Sequence, residues 1–255
     1  MSASTTRRES EMRRISALLM FMAVIVLTAP MALAQGGAVY VAPKVGFSIQ
    51  NIDSQGYDLN KYWPDYRKFM DGDEDKTVFT GGLAVGYDFG IQNYAPIRLE
   101  LEYLARTEAK AGFSDNMHGL NARGDIKLWT QTIFANAYYD IETETPWTPY
   151  FGFGLGWSHF DARANTRLAG NAPWSGTGIN QKYTDRNSAW NFAWNLGGGV
   201  SYPIETGIDL DIGYRYNDFG DVTLKVVEPQ SGAILKNKVE SSAHEILFGL
   251  RFTGF

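Results

Sequence analysis

Charged side chains of both signs recur at alternate positions along this chain, and they are its strongest candidates for chemistry. Twelve of them share the polar face of alternating segments: Lys44, Asp88, Arg98, Glu100, Glu102, Arg106, Asp140, Asp209, Asp211, Arg215, Glu245 and Arg251. If that face is buried, the charges must pair, because an isolated buried charge is too costly. The pattern predicts a buried ion-pair network, and the alternative is a polar pore lined by the same groups.

A second candidate combines the residue types of a nucleophilic site. Glu240, Ser242 and His244 have the same parity, so they would share one face of a strand. Residues two apart on a strand lie about 6.5 Å from each other, which is beyond hydrogen-bond distance. We therefore expect no catalytic residues and no enzymatic activity, with a lipid-modifying enzyme as the remote alternative.

The acidic run Asp71–Asp75 suggests calcium, but its spacing does not fit. A calcium loop of the helix-loop-helix type needs Gly at its sixth position and Glu at its twelfth, where this chain has Lys76 and Gly82. The chain also has no cysteine, which excludes disulfides and cysteine-zinc sites. We expect a solvated acidic loop, no metal site and no cofactor.

Aromatic residues that lie among polar ones, between the alternating segments, form a further group of candidates. Exposed aromatics in loops can be binding hot spots, or they can pack against one another or on the rim of the fold. The candidates for binding an extracellular ligand are Tyr57, Tyr62, Trp63, Tyr66, Phe113, Trp174 and Tyr183.

Composition and the N-terminal residues limit the classes of protein. The chain has 255 residues and a net charge of −5, so it has no basic footprint for nucleic acid. Four arginines precede the apolar run 18–27, and Ala32-Leu33-Ala34 is typical of a peptidase cleavage site. We expect residues 1–34 to be a cleaved secretory signal peptide, with an N-terminal anchor as the alternative, and residues 35–255 to be one domain.

The mature region consists of segments that alternate with a period of two, which indicates β-strands. In Pro96–Thr107, for example, Ile97, Leu99 and Leu101 alternate with charged residues. The eight predicted strands are Val39–Gln50, Thr77–Gly90, Pro96–Thr107, Ile126–Ile141, Pro149–Phe160, Ala189–Ile204, Gly207–Asn217 and Ser242–Phe252. Short connections alternate with four long ones, near 51–76, 108–125, 161–187 and 218–241.

The distribution of residues on the two faces favours a membrane barrel over a secreted soluble β-sandwich. The polar face combines charges with many glycines, as the narrow interior of an eight-stranded barrel requires. Trp and Tyr lie near the predicted strand ends, as they do at membrane interfaces. We therefore predict an all-β fold: an eight-stranded antiparallel transmembrane β-barrel with short periplasmic turns and four long extracellular loops.

Several motifs resemble the small outer-membrane β-barrel family, which includes opacity-type surface proteins and barrels similar to outer-membrane proteins A and X. They are the runs 149–156 (PYFGFGLG), 194–199 (WNLGGG) and 211–216 (DIGYRY), together with an aromatic C-terminus. The resemblance covers Val39–Phe255. It implies a location in the bacterial outer membrane and a final strand read by the barrel-assembly machinery, although Phe255 is one place out of phase with Phe252.

The resemblance also implies a function class. We expect a scaffold whose loops meet the outside, for surface interaction, adhesion or envelope integrity. The alternative, favoured by the glycine-rich inner face, is a narrow porin-like channel for small solutes. The expected partners are outer-membrane lipid and lipopolysaccharide, the assembly machinery and an extracellular ligand bound through the loops, with no nucleic acid.

Overall fold

The fold is a ring of antiparallel strands. The computed structural model describes residues 38–58, 69–93, 95–117, 119–171, 178–227 and 234–253. The strands are β1 (Val39–Tyr57), β2 (Phe69–Asp88), β3 (Ile97–Arg106), β4 (Ala109–Met117), β5 (Leu120–Asp140), β6 (Thr148–Asn171), β7 (Gly178–Glu205), β8 (Ile208–Val227) and β9 (Ile234–Thr253). All eight predicted segments fall on these strands.

The ring closes because β3 pairs with both β2 and β5. Strand β4 continues β3 after a break at Thr107 and also pairs with β5, so nine strands fill eight positions in the wall. At the break, the Thr107 hydroxyl accepts a hydrogen bond from the Phe79 amide at 3.1 Å, and the Thr107 amide donates to the Phe79 carbonyl at 2.9 Å. The eight-stranded antiparallel barrel is therefore confirmed.

Tight connections lie at one end of the ring. A five-residue helix, α1 (Phe89–Asn93), follows β2, and Asp88 accepts a hydrogen bond from the Gly90 amide there. Thr206 and Gly207 join β7 to β8, and Gly207 has a φ of 75°, which favours glycine. No helix in the described ranges is long and apolar enough to span a membrane.

The polarity of the wall inverts partway along each strand, as β6 illustrates. From Phe151 to Trp157 the apolar side chains face outward, and glycines face inward. Beyond Trp157 the outward face carries Arg163 and Arg167, whereas Phe160 is fully buried inside. We call the lower part the belt, since its surface suits lipid, and the upper part the crown, since its surface suits water.

The crown comprises residues 51–58, 69–79, 109–117, 119–130, 159–171, 178–192, 219–227 and 234–243. Its wall divides into two four-stranded sheets, because pairing between β2 and β3 ends at Thr80 and pairing between β7 and β8 ends at Trp194. One sheet contains β2, β1, β9 and β8, and the other contains β4, β5, β6 and β7.

Side chains bridge the two seams between these sheets. Glu74 on β2 accepts a hydrogen bond from the Gly112 amide on β4 at 3.2 Å. Across the other seam, Asn187 and Asn191 on β7 donate to backbone carbonyls of β8 at 2.7 and 2.6 Å. These contacts hold the sheets together where the backbone ladder is absent.

An apolar core fills the crown between the two sheets. It joins Ile52, Val239 and Leu224 of one sheet to Phe160 and Leu128 of the other, all fully buried. The crown therefore has apolar residues inside and polar residues outside, as a soluble β-sandwich does. The belt has polar residues inside and apolar residues outside.

The four predicted long loops are mostly strand. The region 108–125, for instance, forms the hairpin of β4 and β5, with only residues 118 and 119 between the two strands. The sequence prediction ended the strands too early, because it followed the apolar outward face and read its replacement by polar residues as the start of a loop. Alternation continues there, but the apolar residues change sides.

Replacement of Phe160 by Ala tests the crown core. Loss of a fully buried aromatic ring is expected to lower the free energy of unfolding by about 3–5 kcal/mol, measured by urea denaturation of the vesicle-inserted protein. The matched control, Arg163→Ala on the outward face of the same strand, is expected to change it by no more than about 0.5 kcal/mol. Equal effects of the two substitutions would contradict the assignment of faces.

Candidate functional site

The belt encloses a chain of six alternating charges, one of which is Lys44 on β1. Its ammonium group contacts Glu100 at 2.5 Å and Glu102 at 2.7 Å, both on β3. All three side chains are at least nine-tenths buried. Strand β2 lies between β1 and β3 in the wall, so this contact reaches across the inward side of β2.

Two arginines continue the chain across the lumen. Arg215 on β8 contacts Glu102 at 2.7 Å and Glu245 on β9 at 3.0 Å. Glu245 also accepts a hydrogen bond from Arg106 on β3 at 2.6 Å. The order is therefore Glu100, Lys44, Glu102, Arg215, Glu245 and Arg106, with each charge beside one of opposite sign. Such pairing is what makes buried charges tolerable.

A second cluster lies nearer the short turns, around Arg98. Its guanidinium donates two hydrogen bonds to Asp140, both at 2.7 Å, and lies 3.7 Å from Asp211. It also stacks over the rings of Tyr138 and Tyr150, at 5.1 and 5.0 Å. A bidentate carboxylate pair with two aromatic faces fixes the position of this guanidinium.

Arg251 on β9 forms the third cluster. It contacts Asp209 at 3.1 Å and Asp88 at 3.8 Å, and it lies 5.5 Å from the Tyr40 ring. The Tyr40 hydroxyl donates to Glu100 at 3.2 Å, which connects this cluster to the chain of six. Each of the twelve charges singled out from the sequence thus has an ion-pair partner among the other eleven.

The sequence predicted a network but not which of its charges would pair. In the structure Glu102 pairs with Arg215, Arg98 approaches Asp211, and Glu100 pairs with Lys44. Sequence parity identifies the inward face but contains no information about which strands meet across the lumen, since that depends on the stagger of the barrel.

Three inward tyrosines were missed as members of the site. Tyr40, Tyr138 and Tyr150 fill the space around the charges, and each ring lies against glycine on a neighbouring strand. A Cβ at Gly86 would lie 2.2 Å from the Tyr40 ring, and one at Gly152 would lie 2.3 Å from the Tyr138 ring. The signal was present in the sequence: tyrosine on the glycine-rich parity indicates a ring seated where the adjacent strand has no side chain.

The suspected triad does not assemble. His244 lies on the outward face, where its Nδ1 is 2.7 Å from the Tyr214 hydroxyl and its ring packs against Tyr216. Ser242 forms no hydrogen bond with His244 in the structure. Over the described ranges, no group of three or more His, Asp or Glu side chains is placed to hold a metal ion.

The acidic run lies on β2 rather than in a loop, which corrects the expectation of a solvated loop. Asp71, Asp73 and Asp75 face outward and Glu74 faces the seam. A hydrogen bond from Lys76 lowers the pKa of Glu74, outweighing its slight desolvation, and the Gly112 amide adds to the effect.

The loop aromatics divide into two groups. Tyr57 and Phe113 are buried in the crown core and Tyr183 packs against it, so these three follow the packing alternative rather than the binding one. Tyr62, Trp63, Tyr66 and Trp174 lie outside the described residues.

Substitution of Glu102 tests the chain of six. Glu102→Gln leaves three cations with two carboxylates in a buried space, so the free energy of unfolding is expected to fall by about 3–5 kcal/mol. The control, Glu74→Gln, breaks the part-exposed pair with Lys76 and is expected to cost at most about 1 kcal/mol. A loss below about 1 kcal/mol for Glu102→Gln, measured in the same vesicles, would show that water screens the network.

Comparison with known proteins agrees with this architecture. Residues 17–252 match the family described as "Outer membrane protein beta-barrel domain". Outer membrane protein PagN of Salmonella typhimurium is 32% identical over 198 residues, which cover 73% of this chain and 76% of PagN. The solved structure of Neisserial surface protein A is similar, with 20% sequence identity and a TM-score of 0.41; the match covers 86% of this chain and 99% of that one. OprG from Pseudomonas aeruginosa is similar with 16% identity and a TM-score of 0.46, and the match covers 87% of this chain and 100% of OprG. The chain belongs to the outer-membrane β-barrel domain family and is a protein of the bacterial outer membrane.

Proposed function

We propose that this protein is a non-enzymatic, closed barrel whose crown provides a rigid surface outside the cell, for surface interaction, adhesion or envelope integrity. The observation that carries the proposal is the alternating chain of six charges, which crosses the lumen of the belt and leaves its carboxylates engaged. A pore lined by the same groups would need them turned toward water.

Little space remains beside the network. A cavity of about 40 Å³ lies among Lys44, Arg98, Glu100 and Tyr150. It would hold a few water molecules, each of which needs roughly 10–15 Å³ of such space. This supports a closed scaffold over the narrow channel for solutes.

The glycines that favoured a channel have another role. Gly154 lies beside the Asn136 and Asn195 side chains, and a Cβ at Gly197 would lie 2.5 Å from the Arg215 side chain. These positions provide room for large polar neighbours, so small inward residues do not indicate an open lumen here. Above them, the apolar core of the crown adds a second barrier.

The crown suits contact with other molecules because it is internally packed. Its core and bridged seams hold the outward side chains of both sheets in fixed positions, which reduces the conformational entropy lost on binding. The four crown ends of the strand pairs, at residues 57 and 69, 117 and 120, 171 and 178, and 227 and 234, lie farthest from the belt and would meet an extracellular ligand first.

The remaining expectations belong to the same proposal. The aromatic side chains at the belt margins, such as Trp157 and Trp190, suit contact with outer-membrane lipid and lipopolysaccharide. We further propose that residues 1–34 are removed on export and that the barrel-assembly machinery recognises the C-terminal strand. No step of this role uses Ser242 or His244 as a catalyst.

Conductance in a planar bilayer tests whether the lumen is closed. The refolded mature chain is expected to give no discrete current steps, because charged and aromatic side chains occupy the belt. Insertion is verified separately by flotation of the protein with vesicles and by its β-sheet circular dichroism. Stable unitary steps from inserted protein would establish the channel and overturn the closed-scaffold proposal.

Attachment of bacteria to host cells tests the role of the crown. Replacing 168–181, the end of the β6–β7 hairpin, by Asn-Gly preserves the register below it, because residues 167 and 182, which then flank the turn, are paired. Bacteria that display this variant are expected to lose at least half of the attachment conferred by the wild type. The control replaces the exposed turn 142–146 at the opposite end and should retain full attachment; equal attachment by all three proteins would contradict an adhesive crown.

A further inference from the structure

The two sheets of the crown differ in the charge of their outward faces. On the sheet of β4 to β7, Lys110, Lys127, Arg163 and Arg186 are consecutive cross-strand partners and form one row of four cations. A second row above it contains Arg123, Arg167 and Lys182. We call this the basic face.

Most of these cations are not neutralised by their neighbours. Lys127 contacts Glu108 at 3.1 Å, and Arg186 pairs with Asp161. Within the described part of the chain, Lys110, Arg163 and Lys182 form no ion pair. Like charges in direct cross-strand register destabilise a sheet, so their retention in two rows calls for a compensating partner.

The sheet of β2, β1, β9 and β8 carries the opposite charge. Asp73, Asp53, Glu240 and Asp221 are consecutive cross-strand partners and form one row of four carboxylates. We call this row and the adjoining outward carboxylates the acidic face; the adjoining ones are Asp71, Asp75 and Asp218.

Only limited compensation is present on the acidic face. Lys238 contacts Glu240 at 2.8 Å and Asp221 at 3.5 Å. Among the residues that the structure describes, no cation contacts Asp53, and partial burial together with the carboxylates of Glu240, Asp73 and Asp71 raises its pKa. The row therefore retains a negative potential at neutral pH.

The basic face and the acidic face point in opposite directions and lie at the same distance above the belt. They belong to two sheets that share one core, so their outward sides point away from each other. Arg163 lies six residues beyond Trp157 on β6, and Glu240 lies six residues from Ile246 on β9, where each reference residue is apolar and exposed on the belt. Arg163 and Glu240 thus lie at the same distance along the strand, about 20 Å, from these two reference residues.

We propose that the basic face of one copy binds the acidic face of a second copy in the same membrane. The membrane holds all copies at one height and in one orientation, so a row of four cations meets a row of four carboxylates without any search in the vertical direction. Because the faces lie on opposite sides, the contact is head-to-tail, and each bound copy leaves one face of each sign available. The product is a linear array of barrels in the plane of the membrane.

Energy transfer between labelled copies in phosphatidylcholine vesicles measures this association. The chain has no cysteine, so Glu144→Cys in the exposed turn 141–147 supplies one labelling site far from both faces. Wild-type protein is expected to show transfer at low ionic strength and to lose it near 1 M salt, where the Debye length falls to about 3 Å. Absence of transfer at low salt would overturn the proposal.

Charge reversal supplies the decisive comparison. The first variant, Lys127→Glu with Arg163→Glu and Arg186→Glu, has two negative faces. The second, Asp53→Lys with Asp73→Lys and Glu240→Lys, has two positive faces. Each variant alone is expected to lose transfer, and an equal mixture of the two is expected to regain it, because negative faces then meet positive ones.

A matched control reverses two other surface lysines. Lys225→Glu with Lys236→Glu changes a cross-strand pair that lies farther from the belt than the acidic row, and this variant is expected to retain association. Circular dichroism of each variant verifies folding, since all replaced side chains are at the surface. Failure of the mixture to regain transfer would overturn the proposal. So would association that requires added lipopolysaccharide, because the phosphates of that glycolipid would then be the partner of the basic face.

Discussion

The structure depends most on the alternating salt bridges across the barrel interior. Lys44 and Arg215 each lie between two carboxylates, and together they connect β1, β3, β8 and β9 through the lumen. Three cations and three carboxylates balance, so removal of any one charge leaves a net charge on the other five where water is scarce, and the six groups act as one unit. The network spans the lumen and keeps opposite walls at a fixed separation.

At the upper end of this network, the side chains inside the barrel change from mainly charged to mainly apolar. Arg106 contacts Glu245 on one side, and its guanidinium lies 4.3 Å from the Phe219 ring on the other. Below it the interior is ionic and the barrel is surrounded by lipid. Above it the interior is mainly apolar, with a few uncharged polar groups such as Asn237, and the crown is surrounded by water. One set of strands thus satisfies two opposite rules of burial, because interior and exterior polarity change at nearly the same level.

This change explains what the sequence could and could not predict. Alternation located all eight strands in the belt, and it placed charges such as Arg98 and Glu245 on the inward face, because a period of two separates the faces wherever a strand continues. It failed above the belt, since the outward residues there became polar and resembled loops. Tyr57 and Phe113 were consequently considered as exposed contact residues although they pack inside. Pairing across the lumen and the opposed charges of the two crown sheets depend on register, which a single sequence does not contain.

The charged outer surface of the crown has a consequence for biogenesis. To reach the far side of the membrane, each hairpin must carry residues such as Arg163, Arg186 and Asp53 through the hydrocarbon layer, and a cation near the midplane costs about 2–4 kcal/mol. The β6–β7 hairpin alone transports four cations, Arg163, Arg167, Lys182 and Arg186. Spontaneous insertion into a thick bilayer should therefore be slow, and the rate should rise wherever the bilayer is locally thinned. Once the crown has folded on the other side, the same cost opposes withdrawal, so the barrier that delays entry also anchors the finished protein.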